Sequence, residues 1–234
     1  MKKTSILAVL GAFCASILCA ADGDARSEVK EAAKKLGGAP NYSWTSTPKV
    51  EGGPGNFRPG PTEGETADGI VYLKSSFGDR TFESAAKGEK IAFKGENGWE
   101  TPDADSQGPG QFVMRRMKAF KAPAAEAADL AEKAKSLTSA DGSIRGELTE
   151  DGAKALLSFG RRPNADAPGP KNARGSVKFW IKDGALMKYE FNVKGKVTGR
   201  DDQEFDIDRT TTVEVKDVGK TKLSLPDEAK KKLS

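Results

Sequence analysis

The chain has 234 residues, 38 basic against 34 acidic side chains, no histidine, and two cysteines, Cys14 and Cys19, both close to its start. The absence of histidine removes the commonest general base and metal ligand, and with them the Ser-His and Cys-His nucleophile arrangements. Lysines are spread along the chain with KKK at 230–232 as the only run, so the basic stripe of a nucleic-acid binder is missing and no nucleic-acid partner is expected.

Two lysines, an apolar stretch from Ile6 to Leu18 and then small residues read as a secretory signal peptide over 1–21. The apolar run is too short for a stop-transfer helix. Cleavage after Ala20 or Ala21 leaves about 213 residues, read as a single domain over 22–234 with no cysteine for a disulfide or thiolate metal site and no transmembrane span. A lipid anchor on Cys19 calls for a small residue before it, and Leu18 is not small. Simple cleavage is therefore the reading, and the protein is expected in the bacterial periplasm or outside the cell.

Residues 24–36 place Val29, Ala32, Ala33 and Leu36 at helical spacing, and Gly37-Gly38 ends the helix. After Pro40, NYSWTST is a first strand. Its Asn41-Tyr42-Ser43 matches a glycosylation acceptor only formally, given the bacterial leader. Gly and Pro crowd EGGPGNFRPGPTEGETA (51–67), which predicts a long loop or mobile flap. No helix signature with a Lys-Ser/Thr pair follows it, so it is not a P-loop.

A meander comes next. GIVYLKS (69–75), RTFES (80–84) and KIAFKG (90–95) are strand-like, and Asn97-Gly98 is a further turn before Trp99. QFVMRRMKAF (111–120) then sets Val113, Met117 and Phe120 on one helical face beside Met114, with one member of Arg115-Arg116 near the buried boundary. Pro123 starts a second helix with a stripe of Ala127, Leu130, Ala131, Ala134 and Leu137. Beyond the Asp141-Gly142 turn and the strand SIRGEL, Thr149 caps a helix opened by Glu150 and Asp151.

The Pro/Gly stretch 161–173 leads into SVKFWIKDGALMKYEFNV (176–193). A two-residue turn at Asp183-Gly184 in an unbroken ladder would put the two apolar sets on opposite faces. A three-residue loop, Lys182-Asp183-Gly184, instead pairs Ile181 with Ala185, Phe179 with Met187 and Val177 with Tyr189. That register leaves Trp180 opposite Leu186 as an apolar spot on the wet face. EFDIDRTTTVEVK (204–216) alternates again, KTKLSL is read as a last strand, and the terminal KKK belongs to a short C-terminal helix.

Chemical motifs are few. Asp201, Asp202, Glu204, Asp206 and Asp208 form an acidic cluster without EF-hand spacing, read as a turn and a solvated strand face rather than a calcium site. Glu147 and Glu150 could serve acid-base chemistry only if they converged. No catalytic residue, cofactor or metal ligand is assigned.

The order of elements resembles the periplasmic lipoprotein-carrier superfamily, LolA, LolB and the LppX-like lipoproteins. The phrases that carry the resemblance are GIVYLKS, NGWET, SVKFWIKDGALMKYEFNV and TKLSLPDEAKKKL. It implies an α+β fold, a curved antiparallel sheet or half-open barrel covered by helices, with acyl chains bound between sheet and helices. The sequence adds the expectation that the 111–120 helix closes imperfectly, leaving an apolar cavity lined by Val113, Met117, Phe120, Phe179, Met187, Tyr189 and Phe191. A carrier of lipid or lipoprotein acyl chains and a packed interaction module with an envelope protein partner both remain open. An enzyme would need a polar convergent site that this composition makes difficult.

Overall fold

In the computed structural model the described residues are 14–53, 59–102, 109–158, 169–199 and 203–234, with side chains at 14–21 and 109 left aside. The elements are α1 (Cys14–Gly37), β1 (Asn41–Gly52), β2 (Pro59–Ala67), β3 (Ile70–Phe77), β4 (Arg80–Lys87), β5 (Lys90–Gly95), β6 (Gly98–Glu100), α2 (Pro109–Ala119), α3 (Pro123–Lys133), β7 (Thr138–Ala140), β8 (Ser143–Glu147), α4 (Glu150–Ser158), β9 (Lys171–Lys182), β10 (Ala185–Thr198), β11 (Glu204–Lys216) and α5 (Asp227–Lys232). The strands form one antiparallel sheet in the order β6-β5-β4-β3-β2-β1-β11-β10-β9-β8-β7. It does not close, and helices cover it, so the α+β half-barrel read from the sequence is the fold. Most of the leader reading, residues 1–13, lies outside the described residues.

Helix α1 buries the predicted stripe Val29, Ala32, Ala33 and Leu36. It packs on α3 and over β9 and β10. Arg26 fastens the two helices: its guanidinium donates to the carbonyls of Ala131 and Ala134, the latter at 3.2 Å, and satisfies the end of α3 that has no further turn to bond. Pro123 opens α3, whose stripe Ala127, Leu130 and Ala131 is buried and continues past the helix in Ala134 and Leu137. Thr149 accepts from the Gly152 N–H at 3.0 Å at the start of α4.

Three predicted features are corrected. First, the Gly/Pro-rich stretch is not all loop: its second half is strand β2, paired with β1 and β3, and residues 54–58 lie outside the described residues. Gly64 sits opposite Trp44, and a Cβ there would lie 2.1 Å from the indole. The glycine therefore makes room for a ring on the neighbouring strand. A register shift between Pro59 and Thr62 accommodates the prolines near the strand's start.

Second, the β9-β10 hairpin takes the two-residue turn after all. Asp183 and Gly184 both have positive φ, 53° and 68°, as a type I′ turn requires. The extra residue needed to restore the apolar register comes two positions later, as a bulge between Leu186 and Lys188. Tyr189 then faces Phe179 and Phe191 faces Val177. Leu186 is core, not a partner of Trp180, whose ring lies instead between the ammonium groups of Lys178 and Lys188 at 4.6 and 4.9 Å. Met187, squeezed out by the bulge, is 47% exposed.

Third, residues 221–225 are not a strand. Their backbone is held by side chains: Asn41 Oδ1 accepts from Thr221 N at 2.8 Å, and Glu65 accepts from Ser224 N at 2.6 Å and Ser224 Oγ at 2.9 Å. This tail carries Leu225 to α5, and with Ala229 and Leu233 it covers a second small core, Ile70, Tyr72, Ala85, Ala92 and Trp99. These side chains lie on the outer face of β3–β6, while Leu73 and Ile91 of the same strands join the main core beneath the helices.

Candidate functional site

The helices approach the sheet at its two ends. Helices α1 and α4 lie over β9 and β10, and α2 lies over β4 and β5. Among the described residues, helices consequently cover the inner face of the central strands β2, β1 and β11 for only about half its length. Where aromatic residues fill the gap, Tyr42, Trp44, Val213 and Val215 are buried. Farther along the same strands the inner-face residues Ser46, Pro48, Val50, Thr62, Ile207, Arg209 and Thr211 are all only half-buried. Beside this open strip Phe77 meets Phe82 edge to face at 5.6 Å, and Phe82 is 44% exposed.

The seven predicted cavity residues separate into three places. Phe179 and Tyr189 are fully buried with ring centroids 6.4 Å apart, and Phe191 is buried next to them. On the α2 side Met117 is buried, taking a hydrogen bond from Ser84 Oγ at 3.3 Å, while Val113 and Phe120 are half-buried. Met187 is on the outer face, because the bulge turns it away, and so leaves the set. Between the first two groups stand Tyr42 and Trp44, which the sequence reading left out of the site. Trp44 stacks on Phe120 at 6.1 Å and an interplanar angle of 17°, and lies 5.6 Å from Tyr42. Their alternation in NYSWTST was the signal: both face inward from the first strand.

Two arginines bear on the open strip, Arg116 beside it and Arg209 on its floor. Arg116 of α2 donates to Ser75 Oγ at 3.1 Å and lies 5.2 Å over the Phe77 ring, while its neighbour Arg115 is exposed. The buried-boundary arginine expected from the sequence is therefore Arg116. Arg209 donates from Nη2 to the Leu156 carbonyl of α4 at 2.6 Å, and its buried Nε has no hydrogen-bond partner among the described residues. Burial lowers both guanidiniums from the ordinary arginine value, yet an arginine remains protonated.

Beneath α3 the buried Tyr189 hydroxyl donates to Glu126 Oε2 at 2.5 Å. Desolvation pushes the Glu126 carboxyl above the usual carboxylate range, and the neighbouring Asp129 adds to this, against the opposing pull of the Tyr189 hydrogen bond. Desolvation followed by the Glu126 charge pushes the Tyr189 phenol well above its ordinary value.

The acidic stretch is dispersed among lysines on the outer face. Asp208 pairs with Lys194 at 2.6 Å and accepts from Asn192 at 2.7 Å, and Glu204 pairs with Lys171 at 2.7 Å. Asp201 and Asp202 lie outside the described residues. Among the described residues no group of three or more His, Cys, Asp or Glu side chains could hold a metal ion. Glu150 is engaged by Lys154 at 2.8 Å. Two surface depressions, of about 390 and 550 Å³, are lined mainly by polar and charged residues and include none of the predicted cavity residues. No helix among the described residues is long and apolar enough to cross a membrane.

No protein-family model matches the sequence, and no curated protein matches it. Among solved structures the chain is similar to the lipoprotein LppX of Mycobacterium tuberculosis, at 9% identity and a TM-score of 0.46, over 86% of this chain and 98% of that one. It is also similar to LprF of Mycobacterium bovis, at 10% identity and a TM-score of 0.45, over 87% of this chain and 96% of that one.

Proposed function

We propose that this protein is an exported, non-catalytic carrier that takes an acyl chain, of a lipid or a lipoprotein, onto the open strip of its inner face. The observation that carries the reading is the incomplete cover of β1 and β11, where Pro48, Val50 and Ile207 remain half-buried between two helical blocks. Fully burying a side chain of this size is worth roughly 1.5 to 3 kcal/mol relative to leaving it exposed. An alkyl chain laid along the strip supplies that cover. Val113 from α2, Phe120 just beyond its end and Phe191 from β10 border it. The leader over 1–21, cleaved after Ala20 or Ala21, delivers the single domain to the envelope.

Native mass spectrometry of the protein purified from its own envelope, followed by organic extraction, tests this. Discrete added masses that extract as acyl lipids are expected, together with their loss in Val50→Arg and Met117→Arg. A bare mass under conditions that keep a control carrier loaded overturns the reading.

A further inference from the structure

The guanidinium of Arg209 has no carboxylate within ion-pair distance among the described residues, and the same holds for Arg116. The two are not equivalent. Arg116 has a hydroxyl and an aromatic face as neutral partners. Among the described residues Arg209 has one carbonyl, at Nη2, and a buried Nε–H with no acceptor. A charge held away from water without a counter-ion is costly, and an unmet buried donor adds to that. The carboxylate whose charge reaches Arg209 is Glu126. That group is occupied by Tyr189, and desolvation favours its neutral form. Glu126 is therefore a poor counter-ion.

The position of Arg209 matters as much as its charge. It sits on β11 directly opposite Val50 of β1 and Val193 of β10. It thus rises from the floor of the open strip, beside the apolar Val50 and two residues from Ile207 and Thr211 on the same face. A carboxylate or phosphate can accept from the Nε and an Nη of one guanidinium together, the geometry in which arginine binds acidic groups most strongly.

We propose that Arg209 is the headgroup site of the strip, and that the ligand is an acyl amphiphile with an acidic head, a carboxylate or a phosphate. The proposal rests on the carrier reading above and adds the class of ligand. The chain of the amphiphile lies over Pro48, Val50 and Ile207, and the acid meets Arg209. Tyr189 and Glu126 keep their own hydrogen bond and take no part.

The test uses the delipidated mature chain and three probes with the same alkyl length: palmitate, hexadecyl phosphate and hexadecanol, at a pH where palmitate is ionised. Displacement of a neutral fluorescent probe reports each affinity. At least one of the acidic probes is expected to bind tighter than hexadecanol by about tenfold or more, the worth of a charge-assisted hydrogen bond. Which acid binds tighter identifies the source of the group. Arg209→Gln is expected to bring the acids to the level that hexadecanol shows in the same variant. Should that variant lose its folded circular-dichroism spectrum, Arg209→Lys decides: a reduced preference supports the site, an unchanged one overturns it. Equal binding of all three probes to the wild type overturns the headgroup site and leaves the carrier reading standing. Failure of every probe to bind overturns both.

Discussion

The two ends of the sheet solve the same burial problem differently. At the β8–β10 end, one face is dry and the other wet: Phe179, Tyr189 and Val193 are buried beneath the helices, while Lys178, Lys188 and Glu190 line the far side. At the β3–β6 end both faces are covered, with α2 over the inner side and α5 over Tyr72 and Trp99 on the outer. A one-sided strand alternates in sequence, whereas a two-sided strand needs consecutive apolar residues, as in Ile70-Val71-Tyr72-Leu73. The first arrangement gathers its apolar area into one deep core. The second divides its apolar area between the edge of that same core and a small shallow one on the outer face.

Truncation should expose that difference. Phe179→Ala is expected to cost about 3 to 5 kcal/mol and to lower the cooperative denaturant midpoint of the whole domain. A loss confined to local hydrogen exchange would show that the deep core does not organise the fold. Leu233→Ala, in the shallow outer core, is expected to cost about 2 to 3 kcal/mol. It should shift the fluorescence of Trp99 and speed amide exchange in β5 and β6 before β9 and β10. Uniform loss of protection along the sheet would mean that the two ends are not separable.

The Glu126 carboxyl gives the deep core a dependence on pH that sets it apart in sign from the lowered Glu83 carboxyl beside Tyr72. Because its folded-state pKa is raised, chiefly by desolvation, its contribution is fully present below the unfolded value of about 4.3 and is lost as pH rises through the folded value. Glu126→Gln should therefore match the wild type in acid and become the more stable of the two toward neutral and alkaline pH, in paired denaturation series. A constant offset between the two proteins at every pH would contradict this. At the other extreme of size, Met187→Glu is expected to change stability by less than about 0.5 kcal/mol, since the bulge holds that side chain in solvent. A cost near that of Phe179→Ala would restore Met187 to the core.

Much of the fold was legible because helices and one-sided strands leave periodic patterns. The stripe of α1, the Pro123 start of α3, the Thr149 cap and the alternation of β9 and β11 all follow from local chemistry. Strand β2 did not, because its glycines answer to Trp44 and Ser76 on the adjacent strands rather than to a turn. The hairpin register failed for a related reason. Sequence shows that one extra residue is needed, and two places for it satisfy the apolar pattern equally well. What decides between them is that Leu186 finds cover in the main core while Met187 finds none. Of the site, the apolar members on α2 and β10 were legible as apolar, and Arg116 as a boundary charge. Arg209 was not, although alternation puts it on the face of Ile207 and Val213, because within DIDRTTTVEV an arginine looks like one more solvated residue.

The outermost strands, β6 and β7, have only three residues each. An open sheet of this size would ordinarily expose two long rows of unpaired backbone groups, the template on which another chain adds itself and aggregation begins. Here any newcomer meets a ladder too short to hold it. The sheet can therefore stay unclosed while its two outermost strands offer little edge to its own kind.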